Sequence, residues 1–222
     1  MITDCHLHSF AKTAARQSDI YVPPARDIHD YMDEAAPLGV RRAVVVQASV
    51  DKTDNSRLMD VLSAKGPVAL RGVAMIDAAA DLLALNAAGV RATRIQDRIA
   101  EMLPGLPEGM RLVLDHVGHV DPTAPDTIFR LLQTDRVWVK LSPTRISSDI
   151  GRYGDLVALI ERIGTAFPEQ IIWGSDWPVL TLAAPYEDWF NLAQSFTRNH
   201  GAEGKVFGQN TLAAYGLSPV KD

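Results

Sequence analysis

The chain has little cysteine and no concentrated positive charge. Its 222 residues include one cysteine, Cys5, which excludes a disulfide within the chain and is typical of a reducing, cytoplasmic location. The net charge is −5, and Arg41 and Arg42 are the only adjacent basic residues. Nucleic-acid binding needs a concentrated basic face. We therefore expect no nucleic-acid partner.

Long apolar runs and phosphate-binding loops are also missing. No apolar run approaches the ~18 residues that a membrane-spanning helix needs, so we expect no membrane partner. The first residues lack a basic region followed by an apolar stretch, which predicts no signal peptide. No glycine-rich loop follows the first predicted strand, and this disfavours a nucleotide-binding protein.

What the sequence does contain is a regular alternation of strand-like and helix-like segments. Seven apolar, β-branched runs predict strands, and they lie at residues 2–8, 41–49, 68–77, 90–96, 110–116, 136–142 and 170–176. Segments with helical spacing separate them, and no change in composition marks a linker. Such a pattern predicts an α/β fold with a parallel sheet, built as one domain over residues 1–222.

Polar residues stand at the carboxyl end of nearly every predicted strand. They include His6, His8, Gln47, Ser49, Arg94, His116, Lys140, Ser142 and Asp176. An open doubly wound sheet recruits only a few strand ends to one crevice. A (β/α) barrel brings all of them to one pocket. The pattern therefore favours a closed barrel of the TIM type.

The candidate site combines three histidines and one aspartate from different strands. Residues two apart on a strand share a face, so His6 and His8 are expected to point the same way, toward His116 and Asp176. This set could hold a zinc-like ion with one position open for water. It could equally hold a carbonyl between imidazole donors, with Asp176 as general base. Trp177, next to Asp176, is predicted to contact substrate.

A set of motifs, in order along the chain, resembles the amidohydrolase superfamily, and within it the branch with 2-pyrone-4,6-dicarboxylate hydrolases and sugar lactonases. The motifs are DCHLH, VVVQASVDKTDNSRLMDVL, RGVAMID, GVRATRIQ, VLDHVGH, VKLSPTRIS and IIWGSDWP. The resemblance covers nearly the whole chain. It implies a (β/α)8 barrel that opens lactone rings.

The resemblance also implies roles for the candidate residues. Asp176 would activate a water molecule, while His6, His8 and His116 would surround the lactone carbonyl. In many members of the superfamily these histidines bind a divalent metal, but the pyrone-dicarboxylate hydrolases work without one. We therefore expect no required cofactor, with a single zinc or manganese ion on these four residues as the alternative.

Substrate binding is implied for a second group of residues. Arg94 and Arg145 match positions that grip substrate carboxylates, a task that suits the planar guanidinium fork. His119 stands where the pyrone-dicarboxylate hydrolases carry an arginine. Gln47 and Ser49, at the end of the second strand, are also predicted to face the substrate.

One departure from the family concerns length. A (β/α)8 barrel typically takes ~250 residues. Here residues 90–96 lead directly to a short predicted helix at 97–103 and then to the strand at 110–116, so about one βα unit of ~30 residues is missing. A seven-strand ring, a gap filled by a second copy in a homo-oligomer, and a deletion product all remain open.

The sequence thus predicts a cytoplasmic hydrolase of a carboxylated lactone, such as 2-pyrone-4,6-dicarboxylate from aromatic compound degradation. Two alternatives remain. The first is a metal-dependent hydrolase or decarboxylase with the same ligands. The second is a shortened, non-catalytic relative.

Overall fold

The computed structural model describes residues 1–10, 24–93, 111–142, 147–149, 152–178, 185–199 and 201–218. Seven strands lie within these ranges: β1 (Ile2–Leu7), β2 (Val40–Val46), β3 (Ala69–Ala74), β4 (Val90–Thr93), β5 (Leu112–Leu114), β6 (Val137–Leu141) and β7 (Ile171–Trp173). The predicted number of strands is confirmed.

Seven α-helices accompany these strands in the same ranges: α1 (Ile28–Ala35), α2 (Ser56–Leu62), α3 (Leu82–Ala88), α4 (Asp126–Leu132), α5 (Val157–Ala166), α6 (Tyr186–Asn199) and α7 (Asn210–Tyr215). Asp27 and Asp30 form a reciprocal capping box at the start of α1. Gly89, with a φ of 105°, ends α3 in the left-handed conformation that glycine adopts at little cost. None of these helices is long and apolar enough to cross a membrane. The helix predicted at 97–103 lies outside the described residues.

The strands form two parallel sheets that meet at β1. One sheet has the order β1-β2-β3-β4, and the other has the order β5-β6-β7. Two backbone hydrogen bonds of 2.7 Å join them, from Asp176 N to His6 O and from His8 N to Trp177 O. The combined order is therefore β4-β3-β2-β1-β7-β6-β5, which is the strand order of a barrel that lacks one unit between β4 and β5. No ladder between those two strands occurs in the described residues. The order of the parallel strands agrees with the predicted α/β barrel class, which is confirmed.

Two apolar layers position the strands. One lies between the sheets and helices α1–α6 and contains large side chains such as Leu7 and Trp173. The other contains alternate residues of the same strands, including Val44, Val46 and Ile172, and its only helical members are Ala214 and Tyr215 of α7. Because strand side chains alternate between faces, the second layer is the inner face, and α7 covers it.

Gly174 allows β1 and the segment after β7 to approach closely. A Cβ atom at Gly174 would lie 2.6 Å from His6 Cβ and 3.0 Å from His6 N. We expect Gly174→Ala to destabilise the fold by about 1–3 kcal/mol, the usual cost of overpacking. Urea denaturation measures it against Gly204→Ala, where nothing lies within 4 Å. Equal midpoints for the two variants would contradict this close approach.

Candidate functional site

Four buried side chains meet at the carboxyl ends of three strands. His6 lies near the end of β1, and His8 follows that strand directly. His116 comes two residues after β5, and Asp176 comes three residues after β7. Their exposed fractions are 0%, 5%, 2% and 0%, respectively. The barrel order thus gathers residues from both halves of the chain.

The distances between these side chains are short. His6 Nε2 lies 3.3 Å from His8 Nε2 and 3.6 Å from Asp176 Oδ1, and His8 Nε2 lies 3.5 Å from the same oxygen. The ring centroid of His116 is 4.8 Å from that of His6. One ligand atom each from His6, His116 and Asp176 lies within 4.8 Å of the others. The structure therefore brings together the four residues that the sequence singled out.

Backbone carbonyls fix two of the imidazoles. His8 Nδ1 lies 2.8 Å from Val46 O, and His116 Nδ1 lies 3.1 Å from Ser142 O. A carbonyl oxygen can only accept a hydrogen bond, so in each neutral ring Nδ1 carries the hydrogen. The Nε2 lone pair of each ring is then left as the acceptor on the side of the site.

His6 has a charged acceptor in the same place. Its Nδ1 lies 3.2 Å from Asp115 Oδ1, which favours the same tautomer as in the other two rings. The Nε2 atoms of His6 and His8 then face each other with their lone pairs at 3.3 Å. Such an arrangement is favourable when a cation or a proton lies between or beside the two nitrogens.

Burial sets the protonation of the site. It lowers the pKa of His6 to about 3 and that of His116 to about 4, because the imidazolium form loses its hydration. Burial raises the pKa of the Asp176 carboxyl, but the neighbouring side chains of His8, His6 and His116 outweigh it and hold that pKa below its usual range. At neutral pH Asp176 is therefore a carboxylate beside the neutral imidazoles of His6 and His116.

This arrangement fits a divalent metal ion. Imidazole nitrogens and a carboxylate oxygen are ligands that zinc takes, and a catalytic zinc site keeps one position open for water or substrate. The other role predicted from the sequence, a carbonyl held between imidazole N–H donors, needs hydrogens on Nε2. Because the anchored tautomers place those hydrogens on Nδ1, the geometry favours the ion.

The backbone around His116 and Asp176 is strained. Residues His116, Val117, Gly118 and His119 have φ values of 50°, 53°, 71° and 50°, and Asp176 has a φ of 57°. Left-handed conformations are unfavourable for residues other than glycine, above all for a β-branched valine. Strain of this kind clusters at functional sites, where the surrounding structure holds it in place.

Gln47 has a structural role in the described contacts. Its Nε2 donates to Lys52 O at 2.9 Å and to Asp54 O at 3.0 Å. Its Oε1 accepts from Asn55 Nδ2 at 2.7 Å and from Met75 N at 2.9 Å. Both ends of the amide thus tie together the loops after β2 and β3, and the substrate contact predicted for Gln47 has no support in these bonds.

Trp177, predicted to contact substrate, packs against α1 in the structure, and its substrate contact stays a prediction. The side chain is fully buried, and its ring packs edge-on against Tyr31 of α1. Its Nε1 donates to Glu34 Oε2 at 3.1 Å. The indole therefore lies against α1.

The other predicted substrate contacts have different positions. His119 is exposed, and its ring centroid lies 5.0 Å from that of His116, so it stands at the entrance to the site. Ser49 begins a short 3-10 turn after β2. Arg94 and Arg145 lie outside the described residues, and their substrate-binding role stays a prediction.

Asp115 and Lys140 lie near the site and were given no role from the sequence. Lys140 is 2% exposed, and its Nζ lies 2.9 Å from Asp115 Oδ1. The signal was a lysine inside the apolar run VWVKL, where a buried charge needs a partner. The partner comes from another strand, so the local pattern alone did not identify it.

Comparisons with known proteins identify relatives along the chain. The amidohydrolase family model matches residues 95–217. The 4-sulfomuconolactone hydrolase of Rhizobium radiobacter is 26% identical, over 96% of this chain and 89% of its own. The 2-pyrone-4,6-dicarboxylate hydrolase of Comamonas testosteroni is 29% identical, over 64% of each chain. The crystal structure of an amidohydrolase from Burkholderia multivorans with bound zinc has a TM-score of 0.71 at 20% identity, over 98% of this chain and 100% of its own.

The alignment with the Rhizobium protein agrees with a shortened barrel. It spans 268 positions, more than the 222 residues of this chain. The relative therefore has segments that are absent here. Likeness in fold extends across nearly the whole chain all the same.

The left-handed turn at His116–His119 can be tested at Gly118. A Cβ atom there would lie 2.8 Å from Ile128 Cδ1, in addition to the unfavourable φ. We expect Gly118→Ala to lower the unfolding free energy by more than the ~1 kcal/mol of the backbone alone. Gly201→Ala is the matched control, because Gly201 has a φ of 64° and nothing within 4 Å. If urea denaturation gave the two variants equal losses, tight packing of this turn would be refuted.

Proposed function

The chain belongs to the amidohydrolase family, and we propose that it hydrolyses an anionic lactone at the site formed by His6, His8, His116 and Asp176. The resemblance found in the sequence is confirmed, and so is a hydrolase-type enzyme at the level of the family. The observation that carries the proposal is the convergence of His6 Nε2 and His8 Nε2 on the buried Asp176 carboxylate, with a ring nitrogen of His116 within 4.8 Å.

The four residues are suited to hold one divalent ion, zinc or manganese. The ligand atoms would be the Nε2 atoms of the three histidines and a carboxylate oxygen of Asp176. When bound, such an ion supplies a Lewis acid that polarises the lactone carbonyl and lowers the pKa of water. The Burkholderia neighbour holds zinc, which supports this choice over the metal-free alternative.

The residues of the chain carry the proton transfers. A water oxygen forms a bond to the lactone carbonyl carbon while Asp176 accepts the water proton. The tetrahedral carbon then breaks its bond to the ring oxygen, and Asp176 returns the proton to that oxygen. The product is an open-chain acid with one molecule of water added. Because Asp176 is ionised at neutral pH, it is ready to act as the base.

The substrate class follows from the relatives and from the entrance. Two relatives are named for lactones that carry sulfonate or carboxylate groups. A carboxylated lactone such as 2-pyrone-4,6-dicarboxylate is therefore the proposed substrate, with Arg94 and Arg145 as its anchors. His119 is shorter than an arginine and lies at the entrance, so a less highly charged ring is also compatible with the site.

The first test is Asp176→Asn. The amide cannot accept the water proton, so we expect kcat to fall by about 10²–10⁴-fold, the usual contribution of a general base. Loss of the ultraviolet absorbance of 2-pyrone-4,6-dicarboxylate measures turnover, and thermal unfolding reports whether the variant is folded. Asp81→Asn is the control, because an exposed N-cap tolerates either residue. Wild-type turnover in folded Asp176→Asn would rule out this mechanism.

The second test concerns the metal. Protein purified without chelator is expected to contain about one equivalent of zinc or manganese, as four ligands from one site imply. Dialysis against chelator should abolish hydrolysis, and adding back the metal should restore it. Elemental analysis and the pyrone assay measure both. Full turnover by metal-free protein would instead favour carbonyl polarisation by the imidazoles alone.

A further inference from the structure

Lys140 is a buried cation without a part in the proposed reaction. Its side chain projects from β6 and is 2% exposed. Its Nζ lies 2.9 Å from Asp115 Oδ1, and its chain lies near the ring of Tyr215 on α7, with Nζ 5.9 Å from the ring centroid. Lysine is rarely buried unless it is paired, so a specific pairing explains its position.

Asp115 and Lys140 together surround Nδ1 of His6. Asp115 Oδ1 lies 3.2 Å from that nitrogen, and Lys140 Nζ lies 3.4 Å from it. A carboxylate only accepts hydrogen bonds, whereas an ammonium only donates them. The shorter contact is the one to the carboxylate, and it requires a hydrogen on Nδ1. The same oxygen also accepts from Lys140, which fixes the carboxylate in place.

The lysine also cancels the charge that orients the ring. A lone carboxylate beside the imidazole would orient the ring but would be a buried, uncompensated charge. An ammonium within 3 Å of that carboxylate makes the pair neutral. His8 and His116 need no such compensation, because their acceptors are the uncharged carbonyls of Val46 and Ser142.

We propose that Asp115 and Lys140 are positioning residues that together hold His6 in its neutral Nδ1–H tautomer, with the Nε2 lone pair directed at the reacting centre. Asp115 selects the tautomer and the ring orientation. Lys140 holds Asp115 and balances its charge. The activity measurements that test this inference rest on the proposed function, but the tautomer of His6 can be measured without turnover.

Three variants separate tautomer control from simple structural support. In Asp115→Ala the ammonium of Lys140 is the one remaining partner of Nδ1 among the described residues, so the hydrogen should move to Nε2. In Lys140→Met the carboxylate remains, and His6 should keep the Nδ1–H form. In Asp115→Ala/Lys140→Met neither group remains, and a mixture of tautomers is expected. Asp121→Ala, an exposed aspartate six residues further along, is the control.

The tautomer of His6 is measured by nitrogen-15 histidine NMR on the full chain after metal removal. Without metal, only the protein's own groups determine which ring nitrogen carries the hydrogen. We expect kcat of metal-restored Asp115→Ala to fall by about 10–100-fold, as for other residues that orient ligands, with less change in KM. The double variant should regain folding stability, since no lone buried charge is left, yet keep the loss in kcat.

Two results would overturn the proposal. The first is a wild-type Nδ1–H signal for His6 in Asp115→Ala or in the double variant. The second is recovery of wild-type kcat by the double variant together with its stability, which would leave the pair a structural role only. If no protein hydrolyses any lactone, the proposed function is refuted, while the NMR result still decides the tautomer question.

Discussion

The structure depends on the contact between β1 and the segment that follows β7. Two backbone hydrogen bonds of 2.7 Å join the sheets there, and they place His6 and His8 beside Asp176 across a sequence separation of about 170 residues. The buried carboxylate of Asp4 strengthens this junction, because it accepts from the backbone of both His6 and Ser175. Tight approach of the two segments requires Gly174, where a side chain would clash with His6. The site therefore exists only when the two halves of the chain are joined.

Around this junction, the site is organised by what binds the far side of each imidazole. A carbonyl holds His8, a carbonyl holds His116, and a neutralised ion pair holds His6. Each anchor orients its ring, and burial keeps the rings of His6 and His116 neutral. The result is a set of inward lone pairs beside an ionised Asp176. Such preorganisation in a buried, low-dielectric position is what metal binding and proton transfer both require.

The shortened barrel keeps this site because the missing unit lies elsewhere. In the combined strand order, β4 and β5 are the two ends, while β1, β7 and β6 are central. His6 lies in β1, whereas His8, His116 and Asp176 follow β1, β5 and β7, and Lys140 comes from β6. Ala214 and Tyr215 of helix α7 pack against the inner face. The core on that face is therefore not formed by strand residues alone.

Apolar periodicity and polar strand ends are local signals, and they were enough to predict seven strands in a parallel α/β arrangement. They also predicted that His6, His8, His116 and Asp176 lie together. The direction of each ring could not be predicted in this way, because the groups that anchor the rings come from other parts of the chain. The same holds for Trp177, whose indole packs against α1, and for Lys140, whose partner Asp115 follows β5. A sequence shows which residues can act as ligands, acids or bases. The positions of their hydrogens, their charges and the directions of their side chains are set by neighbours distant in sequence.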